Sequence, residues 1–468
     1  MSSVPRINQL PDELLALIFA TGLRDLSSDA HQPLLALICS VCRHWRDVAI
    51  GASELWIIIH VPLEVHLPVI QAFLERSKGR LIDLHITELD SVVLAHKVAE
   101  ITAPHISRAR TLTMSLAGPG TYSVLSEAYR SIFATNLSSL SIHLAGWSFH
   151  SHSPLFASTN SLRYLDTEGD FLRDVPSRAS LTTLELNKYS PTHVELQNLF
   201  DASPCLETLV LHEFILVAPM RANEDDVPPT ITAPTTLKSL AVSVSYTHNN
   251  GTDICGCVLD RLCIPNLEYL EVAGTYELAI DLNIHFRGLS KVQTLRIRRC
   301  TITSADRLFL SLKELRRLEL VDMSPELDIR HITGISTEDP SSPSLSYLSS
   351  VFFSTKQGNM EIPYKLLQLA EHCVAAGCPR FTLEIEQGCP EEFLNAIESC
   401  IQDRRVCVIE SDCSDGLIKS KATGIHGHFF GDLDEEEFEE EEMDEWEPEW
   451  EIEDDGWDEV EDDGFEID

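Results

Sequence analysis

The sequence predicts an α/β chain with three regions: a small helical domain at residues 1–60, an irregular solenoid of strand-bearing repeats at residues 61–411, and a disordered acidic tail at residues 412–468. Three observations support this division. Apolar residues follow helical spacing in the first region, a leucine phrase recurs every 19 to 31 residues in the second, and acidic residues dominate the third. The length of 468 residues allows two or three domains, and the 44% hydrophobic content excludes a wholly disordered chain.

Residues 1–60 are predicted to form two or three short helices. Pro11 suits a first helical position, and the carboxylates of Asp12 and Glu13 favour the positive helix N-terminus. After a polar interruption, a second helix is predicted to open at Pro33. Both helices have apolar residues at helical spacing: Leu14, Leu15, Ile18 and Phe19 in the first, and Leu34, Leu37, Ile38, Val41, Trp45 and Val48 in the second.

This helical region has more large apolar side chains than it can cover by itself. A domain of about 60 residues buries only about 60% of its unfolded surface. Each further buried Leu, Ile or Phe contributes about 2 kcal/mol. We therefore expect a second body to cover the apolar face, either the rest of the chain or a partner protein.

The second region repeats an LxxLxL-like phrase. Its fourth and sixth positions face inward and its fifth faces outward, as in a strand with one buried face. Ten copies stand at Leu81-Leu84-Ile86, Ala109-Leu112-Met114, Leu137-Leu140-Ile142, Leu162-Leu165-Thr167, Leu181-Leu184-Leu186, Leu206-Leu209-Leu211, Leu237-Leu240-Val242, Leu267-Leu270-Val272, Val292-Leu295-Ile297 and Leu315-Leu318-Leu320. Weaker copies stand at Leu345-Leu348 and Phe381-Leu383-Ile385.

This period is typical of leucine-rich repeats, which have about 20–29 residues and contribute one strand each to a horseshoe. The turn residue expected after the strand is present at Cys300 but is replaced in most other copies, for example by Ala145, Tyr189 and Phe214. Ordinary α/β packing of a leucine-rich sequence would explain one or two copies, but not ten at a bounded period. We therefore predict an irregular leucine-rich-repeat solenoid.

The net charge of −39 is concentrated in the third region. Residues 432–468 contain 24 of the 74 acidic residues and no Lys or Arg, which leaves 50 acidic and 35 basic residues in residues 1–431. Neighbouring carboxylates lie within a screening length of about 8 Å and repel each other, so we predict disorder.

Aromatic residues among the acids allow three interpretations of this tail; they are Phe438, Trp446, Trp450, Trp457 and Phe465. The tail could wrap a basic partner, since charge gives the association rate and aromatic rings give contact area. It could serve only for solubility. It could also fold back onto the densest basic patch of the repeats, formed by Arg296, Arg298, Arg299, Arg316 and Arg317.

The chain has no common catalytic or nucleotide-binding motif: GxxxxGK[ST], GxGxxG after a strand, GxSxG and HExxH are all absent. We predict that it is not an enzyme and needs no cofactor or metal. Cys39 and Cys42 have CxxC spacing but lie in an apolar helical stripe, which favours core thiols. A zinc site is the weaker interpretation of a second group, His248, Cys255, Cys257 and Cys263.

Composition also bears on partners and compartment. No apolar run approaches the roughly 20 residues that span a bilayer, and clustered positive charge for nucleic acid is lacking. We expect neither a membrane nor a nucleic-acid partner. The 13 cysteines are odd in number and follow no repeating frame, and the polar N-terminus does not suit a secretory signal. Both favour an intracellular protein of the cytoplasm or nucleus.

The helical region resembles an F-box. The stretch Leu10-Pro11-Asp12-Glu13-Leu14-Leu15-x-x-Ile18-Phe19 is similar to its start, and Val41-Cys42-Arg43-His44-Trp45-Arg46-Asp47-Val48-Ala49, followed by Leu55-Trp56, is similar to its second half. The match covers residues 7–58, and a longer polar insert at residues 25–33 is its main departure. The order of F-box and repeats resembles the F-box/leucine-rich-repeat class, and the divergent repeats resemble those of fungal F-box proteins.

F-box proteins are substrate receptors of SCF-type cullin–RING ubiquitin ligases. The resemblance implies that the apolar face docks a Skp-family adaptor and, through it, a cullin. The implied adaptor contacts are Leu10, Pro11, Leu14, Leu15, Ile18 and Phe19, with a partial contribution from Val41, Cys42 and Trp45; for Trp45 we favour a core role.

In that class the repeat face recruits an unknown protein client. The outward positions that could contact it are Tyr164, Asp166, Glu185, Tyr269, Glu271, Arg296, Arg298, Arg317 and Glu319. The alternative function is a leucine-rich-repeat scaffold whose F-box-like helices pack on the solenoid and recruit no ligase.

Overall fold

The structure is a computed structural model. It describes residues 7, 10–24, 26, 28–62, 66–144, 154–175, 177–189, 191–214, 230–244, 261–274, 279–281, 289–304, 306–323, 347–354, 361–375, 377–386, 395, 397, 405–411 and 416–418. The chain divides into two units, Met1–Ser420 and Lys421–Asp468, and every described residue lies in the first unit.

Helices and strands mix along this unit. The helices are α1 Asp12–Arg24, α2 Ser28–Val41, α3 Arg43–Gly51, α4 Leu67–Arg76, α5 Val92–Thr102, α6 Pro119–Tyr129, α7 His193–Ala202, α8 Asp306–Ser311 and α9 Glu361–Ala375. The strands are β1 Ile58–Val61, β2 Ile82–Leu89, β3 Ala109–Leu116, β4 Ser139–Leu144, β5 Tyr164–Glu168, β6 Thr183–Asn187, β7 Thr208–Phe214, β8 Ile231–Thr232, β9 Ser239–Val244, β10 Leu262–Cys263, β11 Tyr269–Ala273, β12 Ala279–Asp281, β13 Thr294–Arg298, β14 Thr301–Ser304, β15 Arg317–Val321, β16 Ser350–Phe353, β17 Phe381–Glu386 and β18 Val406–Ser411. Short 3₁₀ turns lie at Ser53–Trp56, Ala103–Arg108 and Gly169–Asp174.

The N-terminal helices begin where the sequence indicates, with one difference. Helix α1 starts after Pro11, with Asp12 and Glu13 in its first turn. Helix α2 starts at Ser28, so Pro33 lies inside the helix and does not open it. A proline there removes one helical hydrogen bond. In the preceding turn His31 is buried, and the Gln32 side chain donates to the carbonyl of His60 at 2.9 Å.

Among the described residues, fourteen strands form one parallel sheet, in the order β1-β2-β3-β4-β5-β6-β7-β9-β11-β13-β15-β16-β17-β18. Each strand pairs with the next one along the chain, apart from two small parallel pairs, β8 with β10 and β12 with β14. The fourth and sixth positions of all ten leucine phrases lie on strands of the large sheet. Their side chains are at most 1% exposed, which confirms their predicted inward direction.

The helical N-terminus and the sheet share one apolar core. Buried residues from Leu15 in α1 to Val406 in β18 belong to the same cluster. Trp56 joins the two parts, since its indole nitrogen donates to the Ala49 carbonyl at 2.8 Å and its ring packs edge-on against Phe73 with 4.8 Å between centroids. The predicted boundary at residue 60 falls inside β1.

Two predictions fall wholly or partly outside the described residues. The first is the acidic tail at 432–468, with its docking onto the basic patch, which lies wholly outside them. The second is the zinc site, of whose four proposed ligands only Cys263 is described. Residues 416–418, which we predicted to be disordered, instead pack on the sheet. No described helix is long and apolar enough to cross a bilayer.

Candidate functional site

Helices α1 and α2 each leave a stripe of large apolar side chains uncovered. On α1, Leu14, Leu17 and Ile18 are 48%, 56% and 48% exposed; on α2, Leu37 and Val41 are 60% and 54% exposed. Residues three or four apart share one face of a helix. The two stripes therefore form continuous apolar faces on two helices that contact each other, and we call these five residues the apolar face.

The opposite side of α1 is the interior of the domain. Leu15 and Phe19 are buried, and the Phe19 ring packs against Trp45 with 4.9 Å between centroids. Both residues were predicted adaptor contacts, and their burial removes them from the surface that a partner can touch. Trp45 is half-buried against the core, as the core interpretation predicts.

The remaining predicted contacts surround the apolar face. Pro11 is exposed and Leu10 is half-buried. Half-buried Cys42 caps helix α3, because its sulfur accepts a hydrogen bond from the Trp45 amide at 3.5 Å. Cys39 is also half-buried, and burial raises the pKa of its thiol. Cys39 packs against the main core, as the prediction of core thiols implies, whereas Cys42 lies outside that core and caps a helix. Leu17 was not predicted, although its spacing of three residues from Leu14 is the signal that would have found it.

A second candidate site lies on the polar face of the sheet, where the predicted client residues form two clusters. The first cluster is on β4–β6. The carboxylate of Asp166 accepts hydrogen bonds from Ser141 at 3.1 Å, from His143 at 2.9 Å and from Asn187 at 3.1 Å. Burial raises the pKa of Asp166, but the His143 and Ser141 contacts outweigh it and hold that pKa below its usual value.

This first cluster contains serine, histidine and aspartate but not the geometry of a catalytic triad. In a triad the serine and the aspartate contact opposite ring nitrogens of the histidine. Here Ser141 and Asp166 both contact Nε2 of His143. Tyr164 and Glu185, which are half-buried beside this cluster, complete the predicted residues on this part of the face.

The second cluster, on β11–β17, is a network of buried charges. Arg296 lies between two carboxylates, with Nη1 at 2.8 Å from Glu319 Oε2 and Nε at 3.6 Å from Glu271 Oε1. Arg317 donates to Glu319 at 2.6 Å and to Glu384 at 2.8 Å. The pKa of Arg317 is raised, and the hydrogen bonds to Glu384 are the largest cause. Tyr269 donates to Glu271 at 2.9 Å.

Burial divides the residues of this second cluster that were predicted to contact a client. Glu271, Arg296 and Glu319 are buried, whereas Tyr269, Arg298 and Arg317 are half-buried. A described segment near the C-terminus, residues 416–418, covers part of this face. No group of described residues has the composition and geometry of a metal site.

Comparison with known families identifies the helical region. A family model described as F-box-like matches residues 7–61, which include α1, α2, α3 and β1. No curated protein matches the sequence. The chain therefore contains an F-box-like domain, and such domains generally bind Skp-family adaptors and point to a role in substrate recognition by SCF-type ubiquitin ligases.

Proposed function

We propose that this chain is a substrate-recognition subunit of an SCF-type cullin–RING ubiquitin ligase. Residues 7–61 dock the Skp-family adaptor, which connects the chain to a cullin, and the repeat region recruits a protein client. The observation that carries the proposal is the apolar face, which stays exposed on a domain whose own interior is already filled.

The burial of α1 divides the predicted adaptor contacts into two groups. Leu14, Ile18 and Val41 are available to a partner, with Pro11 and the half-buried Leu10 and Cys42 beside them. Leu17 and Leu37 are added to this group. Leu15 and Phe19 act indirectly, because they hold α1 against the rest of the domain.

The energetics favour a partner for this face. Covering a large aliphatic side chain contributes about 2 kcal/mol relative to leaving it in water. Soluble monomers seldom expose contiguous apolar patches, and those that do generally use them for binding. Five such side chains on two neighbouring helices therefore match an interface better than an ordinary solvated surface.

The sheet supports the client half of the proposal. Its strands follow one another in chain order, and each pairs in parallel with the next, as stacked repeat units would. We infer that residues 61–411 form a leucine-rich-repeat-like solenoid whose polar face meets the client. The chain would not catalyse ubiquitin transfer; it would raise the effective concentration of the client near the ligase.

Co-expression of the full chain with a Skp-family adaptor tests the proposal. We expect a stable complex with the natural chain and at least a tenfold loss of affinity for Leu14→Asp/Ile18→Asp, because each change places a charge in the apolar interface. The matched control is Val93→Asp, since Val93 on α5 is a similarly exposed apolar residue at 68%.

Two outcomes would contradict the proposal: no complex with the natural chain, or a double variant that binds as well as Val93→Asp. Either would favour the alternative, a repeat scaffold not coupled to a ligase. The observation that favours this alternative is the apolar core that the helices share with the sheet. Thermal unfolding of both variants checks that neither has lost its fold.

A further inference from the structure

Residues 416–418, which we call the strap, lie on the polar face of the sheet and are held there by backbone hydrogen bonds. The amide of Leu417 donates to Glu271 Oε2 at 2.7 Å, and the amide of Ile418 donates to the same oxygen at 3.3 Å. The guanidinium of Arg298 donates to the carbonyl of Ile418 at 3.2 Å. One acidic and one basic side chain therefore bind the strap through its backbone, independently of its side chains.

The side chain of Ile418 fills an apolar depression between the strands. It is 8% exposed and packs with Val210, Ala241 and Ala273 in a cluster separate from the main core. The two alanines occur where most other strands present a polar or larger residue, and their small side chains leave room for a branched one. This depression selects an aliphatic residue at the position of Ile418.

Gly416 lies so close to the sheet that a side chain there would fit only if Glu271 or Arg296 moved. A Cβ atom there would be 2.5 Å from Glu271 Oε1 and 2.8 Å from Arg296 Nε. Real Cβ atoms essentially never come that close to another heavy atom, and both neighbours are buried and held by ion pairs. The site therefore favours glycine two residues before Ile418, since any larger residue would disturb this buried ion pair.

The buried carboxylate of Glu271 depends on this arrangement. An ionised carboxylate removed from water is stable only when its oxygens accept hydrogen bonds or pair with a cation. Glu271 is fully buried and receives the Tyr269 hydroxyl, the two strap amides and the nearby Arg296 charge. When the strap leaves, two backbone donors are lost, and another peptide backbone with the same bend can replace them.

We propose that Val210, Ala241, Glu271, Ala273, Arg296 and Arg298 form a peptide-binding site, the strap site. It recognises a bent segment with glycine followed by two aliphatic residues, whose successive amides both point at Glu271. The strap occupies the site in cis, so a client segment of the same kind has to displace it. The displacement by a client rests on the proposed function, whereas the peptide chemistry of the site does not.

The test compares full-length chains in binding a fluorescent peptide with the sequence of residues 414–420. In the natural chain the strap competes at high effective concentration, so the peptide binds weakly. Gly416→Val ejects the strap through its clash with Glu271. We expect this variant to bind the peptide at least tenfold more tightly. The control variant is Gly79→Val, because a Cβ at Gly79 meets no atom within 4 Å.

Two further reagents show whether binding occurs at the strap site. Ala241→Leu in the Gly416→Val background fills the depression and should abolish peptide binding. A peptide with valine in place of its own glycine should bind neither chain. Hydrogen exchange of the Leu417 and Ile418 amides should be slow in the natural chain and fast in Gly416→Val, which reports strap release even where the fold is otherwise unchanged.

The proposal is overturned if the natural chain and Gly416→Val bind the peptide equally, if neither binds it, or if Ala241→Leu has no effect. Adaptor binding by the same proteins is measured separately. Peptide binding without adaptor binding would contradict the proposed function and leave the strap site standing; adaptor binding without peptide binding would do the reverse.

Discussion

At the residue scale, Arg296 is the charge whose removal should destabilise the fold most. Its guanidinium lies between Glu319 at 2.8 Å and Glu271 at 3.6 Å, and all three side chains are buried. Removing one partner of such a cluster leaves uncompensated buried charge, which costs about 3 kcal/mol or more. We expect Arg296→Met to lower the free energy of unfolding by about that amount, measured by urea titration.

The matched control for this prediction is Arg316→Met, a neighbouring arginine that is exposed. Exposed charges contribute at most about 1 kcal/mol. If the two variants have equal unfolding free energies, the buried network does not stabilise the sheet.

The same residues show how far the sequence could predict the candidate sites. Strand alternation correctly separated the polar face from the core, but it could not show that Glu271 is covered. The covering segment is 146 residues away in the chain, and its only sequence signal is the aliphatic pair Leu417-Ile418 before the acidic tail. On α1, adjacent Leu14 and Leu15 both fit an apolar stripe, and only packing reveals that one faces water.

At the element scale, Arg108 connects the end of helix α4 and the turn after it to the 3₁₀ turn Ala103–Arg108. Its guanidinium donates to Leu74 O at 2.8 Å, to Ser77 Oγ at 2.9 Å and to Arg80 O at 2.9 Å. The guanidinium of Arg108 reaches these three acceptors from two separate nitrogens, whereas the three N–H groups of lysine share one nitrogen and cannot reach all three. We expect Arg108→Lys to cost about 2 kcal/mol of unfolding free energy, measured by denaturant titration.

Arg130→Lys is the control for this prediction, since Arg130 is exposed at the end of α6 and its side chain contacts Glu127 at 3.5 Å. It should change stability by less than about 0.5 kcal/mol. An Arg108→Lys variant as stable as this control would show that the three hydrogen bonds of Arg108 do not stabilise the fold.

The elements themselves were predicted unevenly, for a physical reason. Each of the ten leucine phrases lies on a strand, because its fourth and sixth positions give a local sequence signal for one buried face. Strands β1 and β18 lie at the two edges of the sheet and carry no such phrase. Strand β18 buries only Val406, whereas β1 buries Ile59 and Val61 but lacks the first leucine of the phrase. Helix α2 begins earlier than predicted because the burial of His31 and the hydrogen bond from Gln32 to His60 stabilise the turn before Pro33.

At the scale of the whole molecule, the F-box-like domain is built into the end of the sheet. Strand β1 follows its last turn directly and pairs with β2. The Arg76 guanidinium lies 4.4 Å from the centre of the Trp56 ring, and Arg80 donates to Ser53 at 2.7 Å. Adaptor docking on α1 and α2 would therefore fix the direction of the parallel sheet, because the two parts share one core.

This shared core predicts that the helical region is unstable when excised. A fragment of residues 1–61 loses β2 and helix α4, including the Phe73 ring that covers Trp56. Losing a large aromatic contact costs about 3 kcal/mol, a large part of the stability of so small a domain. We expect the fragment to show a much lower helical circular-dichroism signal per helical residue than the full chain. A fragment of residues 1–80 restores α4 and should melt at a higher temperature, whereas equal melting temperatures for the two fragments would mean that the sheet does not support the docking helices.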